Sequence, residues 1–213
     1  DKKIIICGSP RHDSFFQSKN PKRSSKNTIL LCPRPIVELT CHNSTQMYIK
    51  YEQILKTTIQ KLKTLPNTQL IFKLHPGDIA HNDSIKKIIQ KIDPSIVIFH
   101  TKPIDVLIRK SDLVLVISPD GFDPSTVILE SIILKKLVIN LVLDEKFYDF
   151  SYERHKAVLS ITEKNDLQKI IMNLYNDSQF KNSILSNGEK FLQDYLSNHG
   201  IASETFAKEL LKL

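Results

Sequence analysis

Four apolar runs punctuate the 213-residue sequence: TILLCP (28–33), QLIFKL (69–74), DLVLVIS (112–118) and LVINLVL (137–143). A strand with one wet face alternates apolar and polar residues, whereas a run apolar at successive positions has to be covered on both sides. The intervening stretches have a different period. From about Thr45 to Leu65, Tyr48, Tyr51, Ile54, Leu55, Ile59 and Leu62 fall near one helical face. Strands of this kind alternating with helices build a parallel sheet with helices on both faces.

The predicted order begins with a short strand, KIIIC (3–7), and a turn-rich connection, GSPRHDS, followed by a polar loop reaching Asn27. The strand at 28–33 leads to the helix at 45–65, which Pro66-Asn67 stops. The strand at 69–74 is followed by a helix over DSIKKIIQKI (83–92), capped by its Asp or Ser. Then come the strand SIVIFH (95–100), a helix from Pro103 to Ser111 and the strand at 112–118. PDGFD forms a loop before a helix over PSTVILESIILKK (124–136), with proline in its first turn. The strand at 137–143, a shorter one over AVLSIT (157–162) and three helices at roughly 163–176, 178–196 and 200–212 complete the chain. This is a doubly wound α/β fold of Rossmann type. Residues 1–27 read as a linker with a short strand, and 28–213 as the domain proper. In such sheets the ligand sits outside the carboxyl ends of the strands.

Composition narrows the function classes. The net charge is +7, of which +5 lies in residues 1–27, where seven Lys/Arg meet two aspartates. The cluster SKNPKRSSKN suits an anionic ligand, a lipid surface or nothing more than solvent. No aromatic platform or zinc spacing supports nucleic acid as a partner. Cys7, Cys32 and Cys41 lack metal-ligand spacing, and Cys7 and Cys32 sit in apolar runs, so a reducing, cytoplasmic setting is expected. The apolar runs are too short or too interrupted to span a bilayer. The chain starts at Asp1 without a signal segment, so a fragment of a longer protein is expected. Neither a GxGxxG nor a P-loop occurs, which argues against a dinucleotide cofactor. No metal cluster is expected.

Two elements carry candidate chemistry. In FKLHPGD, His75 follows a strand at the ligand edge, Pro76 restricts it to extended conformations, and Gly77 is expected to let the chain turn sharply. Lys73, one pleat earlier, points to the same side. Spacing alone leaves two readings open: His75 caps a turn, or its ring N–H meets a phosphate. In SDLVLVISPDGFDPSTVILE, a helix begins near Ser125-Thr126, and helix N-termini attract anions. Glu130, one turn further in, suits a ribose diol; the alternative is a capped helix with an exposed glutamate.

The KLHP element followed by SDLVLVIS, ST, LE and KKLVI resembles the C-terminal nucleotide-binding half of GT-B glycosyltransferases. It is most similar to those with a His-Pro motif, such as sialyltransferases, polysialyltransferase-like enzymes and CDP-glycerol glycerophosphotransferases. The Ser-Thr–Glu helix also resembles UDP-N-acetylglucosamine 2-epimerases, and IIICGSPRHD is similar to the segment leaving the N-terminal domain. The resemblance implies a metal-independent glycosyltransferase without cofactor, using a UDP-, CDP- or CMP-linked sugar or polyol as donor. It implies that His75, Ser125 and Thr126 hold the donor phosphates, that Glu130 binds ribose, that His100 and Thr101 lie against the base, and that Arg34 contacts an anion. A glycan or lipid-linked acceptor would be held by an N-terminal domain this chain lacks, leaving the fragment inactive alone. Contact with the inner face of a membrane is a further expectation.

Overall fold

The computed structural model describes residues 4–17, 26–34, 36, 44–77, 79–119, 125–143 and 150–212. Six strands form one sheet: β1 (Asn27–Pro33), β2 (Thr68–Lys73), β3 (Val97–Phe99), β4 (Leu113–Ser118), β5 (Leu137–Val142) and β6 (Leu159–Ile161). Their spatial order is β3-β2-β1-β4-β5-β6, and every pairing is parallel. At the centre, Leu31 faces Phe72 on one side and Leu115 on the other. The order reverses between β1 and β4, and a doubly wound sheet opens its ligand crevice at that point.

Alternate residues of each central strand feed two cores. Ile29, Leu31, Leu113, Leu115, Ile117, Ile139 and Leu141 pack under α2 (Ser44–Lys63), α3 (Ile79–Ile92) and α7 (Leu167–Asn176). Leu30, Cys32, Val114, Val116 and Val138 pack under α4 (Ile104–Lys110), α5 (Thr126–Ile133) and α8 (Ser178–Tyr195). This two-sided burial explains why the runs carry no polar alternation. Each fully buried Leu or Ile stabilises by about 1.5–3 kcal/mol. Asp166 and Asp177 start α7 and α8, each accepting from the third residue on, Lys169 N–H at 3.1 Å and Phe180 N–H at 2.9 Å. Such caps contribute about 1 kcal/mol each. Among the described residues no helix is long and apolar enough to cross a membrane.

Several local expectations are corrected. Residues 4–9 form no strand, and Ile4 and Ile6 are 90% and 73% exposed. The Ile6 carbonyl accepts from the Asn198 side chain rather than from a neighbouring strand. The connection after it is a 3₁₀ turn, Pro10–His12, running into a short helix α1 (Asp13–Gln17). Helix α3 begins four residues before the predicted Asp83, which with Ser84 lies inside it. A four-residue helix α6 (Ser151–Arg154) was not predicted, and α9 (Ala202–Leu210) ends the chain's regular structure. The basic residues from Lys19 to Arg23, Cys41 and the loop with Pro124 lie outside the described residues.

Candidate nucleotide-phosphate site

A cavity of about 860 Å³ opens at the carboxyl edge of the sheet over β1, β2 and β3. Every candidate residue named from the sequence lines it: Arg34 beyond β1, Lys73, His75 and Pro76 at the end of β2, His100 and Thr101 beyond β3, and Ser125, Thr126 and Glu130 on α5. The strand ends bring together residues that lie nearly a hundred positions apart.

His75 is held from both sides. Its carbonyl accepts a 2.6 Å hydrogen bond from Asn82 Nδ2, on the first turn of α3. The Gly77 N–H donates to its Nδ1 at 3.2 Å. A ring nitrogen that accepts has no proton, so the neutral imidazole carries its N–H on Nε2. The backbone thus selects a tautomer that can donate. Gly77 itself is not in the left-handed region, unlike Gly8 and Gly200, and a Cβ there would meet the His75 ring at an ordinary 3.6 Å. The chain does turn at Pro76 and Gly77, but without the left-handed backbone that favours glycine.

Lys73 Nζ donates to the carbonyls of Leu74 and His100, each at 2.8 Å, tying the end of β2 to the end of β3. Burial lowers its pKa, with Cys32 acting the other way. Beyond β3, Lys102 stands 4.8 Å over the Phe99 ring and lines the same cavity. Arg34 is fixed through its backbone: its N–H donates to Ile117 and its carbonyl accepts from the Tyr51 hydroxyl at 3.0 Å.

Helix α5 starts with Ser125 as N-cap in extended conformation, and the Ser125 side chain makes no capping bond. The first N–H groups of a helix lack intrahelical carbonyls and carry the positive end of its dipole. One turn in, Glu130 is 2% exposed, not the surface glutamate of the alternative reading. Burial raises its pKa, and Arg11 counters the shift through a 3.2 Å ion pair. Arg11 also lines the cavity, and the sequence reading had no place for it. Among the described residues no group of three His, Cys, Asp or Glu is arranged to hold a metal.

Among the described residues the lining therefore combines cations, N–H donors and one buried carboxylate, a set suited to a group with a phosphate at one end and a diol at the other. No protein-family model and no curated protein sequence matches this chain. Solved structures do match. A glycosyltransferase from Rickettsia africae ESF-5 is 17% identical, with a TM-score of 0.61 over 98% of this chain and 56% of its own. The spinosyn rhamnosyltransferase SpnG is 13% identical, with a TM-score of 0.60 over 91% of this chain and 48% of its own. MnaA from S. aureus, in a co-structure with UDP, is 18% identical, with a TM-score of 0.55 over 92% and 46%. The chain thus spans about half the length of these three proteins. At such identities the likeness is one of fold: an all-parallel, Rossmann-like α/β domain of the kind found in GT-B glycosyltransferases.

Proposed function

We propose that this chain is the donor-binding domain of a metal-independent glycosyltransferase, taking a nucleotide-activated sugar at the carboxyl edge of its sheet. The observation that carries the reading is the cavity itself. Its lining includes Arg34, Lys73, His75 and the N-terminus of α5, with the buried Glu130 as the one carboxylate among the described residues that line it. His75 Nε2, with Ser125, Thr126 and the first N–H groups of α5, holds the donor phosphates. Glu130 accepts from two ribose hydroxyls. His100 and Thr101 border the base, and Arg34 meets an outer phosphate oxygen. Support comes from the fold's occurrence in glycosyltransferases and from the UDP in the MnaA co-structure.

In the reaction, an acceptor oxygen attacks the anomeric carbon, the bond from that carbon to the phosphate oxygen breaks, and the nucleotide phosphate leaves with the electron pair. Negative charge grows on the leaving group, so fixed donors aimed at it lower the barrier. Loss of one such donor typically costs about 10²-fold or more in rate. Glu130 is committed to the ribose in this scheme, so among the described residues lining the cavity no carboxylate is left to activate the acceptor. Acceptor binding belongs to the part of such enzymes that this chain does not span.

Calorimetric titration with UDP, CDP and CMP tests the reading. Binding of at least one, weakened about tenfold or more in His75→Ala and in Glu130→Ala, is expected. Failure to bind any of the three contradicts the domain's role, while binding that survives both substitutions contradicts the assigned residues.

A further inference from the structure

The cation that neutralises Glu130 comes from outside the sheet and its covering helices. Arg11 sits in the 3₁₀ turn of the N-terminal segment, 119 residues away in sequence, and its side chain is 64% exposed while that of Glu130 is 3% exposed. A buried carboxylate without a partner loses far more solvation than it recovers, so an arriving cation changes its state markedly. Among the described residues Arg11 is the one cation ion-paired to Glu130.

The segment bearing Arg11 is fastened to the far end of the chain. Asp13, two residues on, accepts from the N–H groups of Ala202 at 2.9 Å and Ser203 at 2.7 Å, capping α9. Gln17 Nε2 donates to the Gly200 carbonyl at 2.6 Å, and the Phe16 ring stacks on His199 with centroids 4.6 Å apart. Gly8 lies so close to the Ser197 carbonyl that a Cβ would come within 2.1 Å of its oxygen, and its φ of +88° is left-handed. Residues 6 to 17 and 197 to 203 therefore form one clasp, and Arg11 projects from it to Glu130.

From this geometry we infer that Arg11 is a positioning residue of the nucleotide site: delivered by the clasp, it holds the Glu130 carboxylate ionised and oriented for the ribose. The inference rests on the function proposed above for what Glu130 contacts, but the Arg11–Glu130 linkage stands in the ligand-free protein. It makes occupancy of the cavity and closure of the clasp mutually dependent, because any coupling between two sites is reciprocal. Among the described residues, the titratable and charged groups facing Glu130 are Arg11 from the segment, Asp105 from α4 and Cys32 from the end of β1, with Lys73 beside Cys32 from β2. Arg11 is the member of that set that favours the carboxylate by direct contact.

Carboxyl-carbon NMR titration of Glu130, without ligand, tests the linkage in wild type, Arg11→Gln, Arg11→Lys and Asp13→Asn. Arg11→Gln should move the Glu130 midpoint to higher pH. Asp13→Asn should move it the same way, since the clasp then holds Arg11 less firmly, and Arg11→Lys should restore most of the wild-type value. An unchanged midpoint in Arg11→Gln overturns the inference, and so does a shift that Asp13→Asn fails to share. With whichever of UDP, CDP or CMP binds, Arg11→Gln should weaken binding about tenfold at neutral pH, with affinity falling off from a higher pH than in wild type. If no nucleotide binds the wild type, the proposed function fails, and the carboxyl titration still decides the linkage.

Discussion

Asn82 donates its side-chain amide to the carbonyl of His75 at 2.6 Å, joining the first turn of α3 to the residue that ends the second strand's run. Asn82 is buried, and its contact complements the Gly77 N–H bond to the ring of the same histidine. The backbone and the imidazole of His75 are thus set by separate groups. Asn82→Ala should cost about 1 kcal/mol of stability, the usual net value of one hydrogen bond. It should also weaken nucleotide binding several-fold beyond Gln168→Ala, a control far from the cavity. Urea unfolding and calorimetry on both variants measure the two effects.

Two glycines should respond oppositely. Gly77→Ala meets no close contact and no left-handed backbone, so stability and nucleotide affinity should stay near wild type. Gly8→Ala puts a methyl group against the Ser197 carbonyl at a φ of +88° and should destabilise by about 1–3 kcal/mol or detach the segment. Urea unfolding and amide exchange at residues 9–17 distinguish these outcomes.

Glu130 sets a pH dependence whose sign follows from burial. Its pKa lies above the ordinary value of 4.5, so the folded state binds its proton more tightly than the unfolded chain. The associated stability is fully present below the unfolded value and is lost as pH rises through the folded value. Glu130→Gln lacks that loss. Its stability relative to wild type should increase as pH is raised from about 4 to 7, while nucleotide affinity drops. Denaturant unfolding across that range should show the gap widening; a gap that narrows with pH contradicts the burial argument.

Cys32 lines the cavity, yet burial pushes its thiol up to about 12, so little reactive thiolate exists at neutral pH. Under native conditions iodoacetamide should leave Cys32 unmodified while labelling the half-buried Cys7, as read by peptide mass mapping. Unfolding in urea should expose Cys32 to the reagent.

The fold was legible because coverage on both faces leaves a trace in every central strand: Leu113 to Ser118 and Leu137 to Val142 are buried at each position. The positions of Lys73, His75, Ser125 and Glu130 followed, since residues after parallel strands converge on one edge. What the sequence did not disclose depends on tertiary neighbours. Ile4 to Ile6 look like a strand, yet their fate depends on whether a neighbouring strand stands beside them, and here the Ile6 carbonyl meets Asn198 instead. The polar letters of IAHND hide the start of α3, where His81 and Asn82 are buried by packing that no local period reveals. Arg11 was invisible for the same reason: it meets Glu130 across 119 positions, from a segment held by tertiary contacts such as Asp13 with α9.

The central claim is that the cavity at the carboxyl edge receives a nucleoside phosphate. Amide-resolved NMR titration of the wild-type chain with UDP, CDP and CMP tests it most directly. The account predicts that at least one nucleotide shifts the N–H signals of Gly77, Thr126 and Val127 most strongly, with the Glu130 carboxyl following. No shift with any nucleotide, or shifts confined to residues away from β1, β2 and α5, would contradict it.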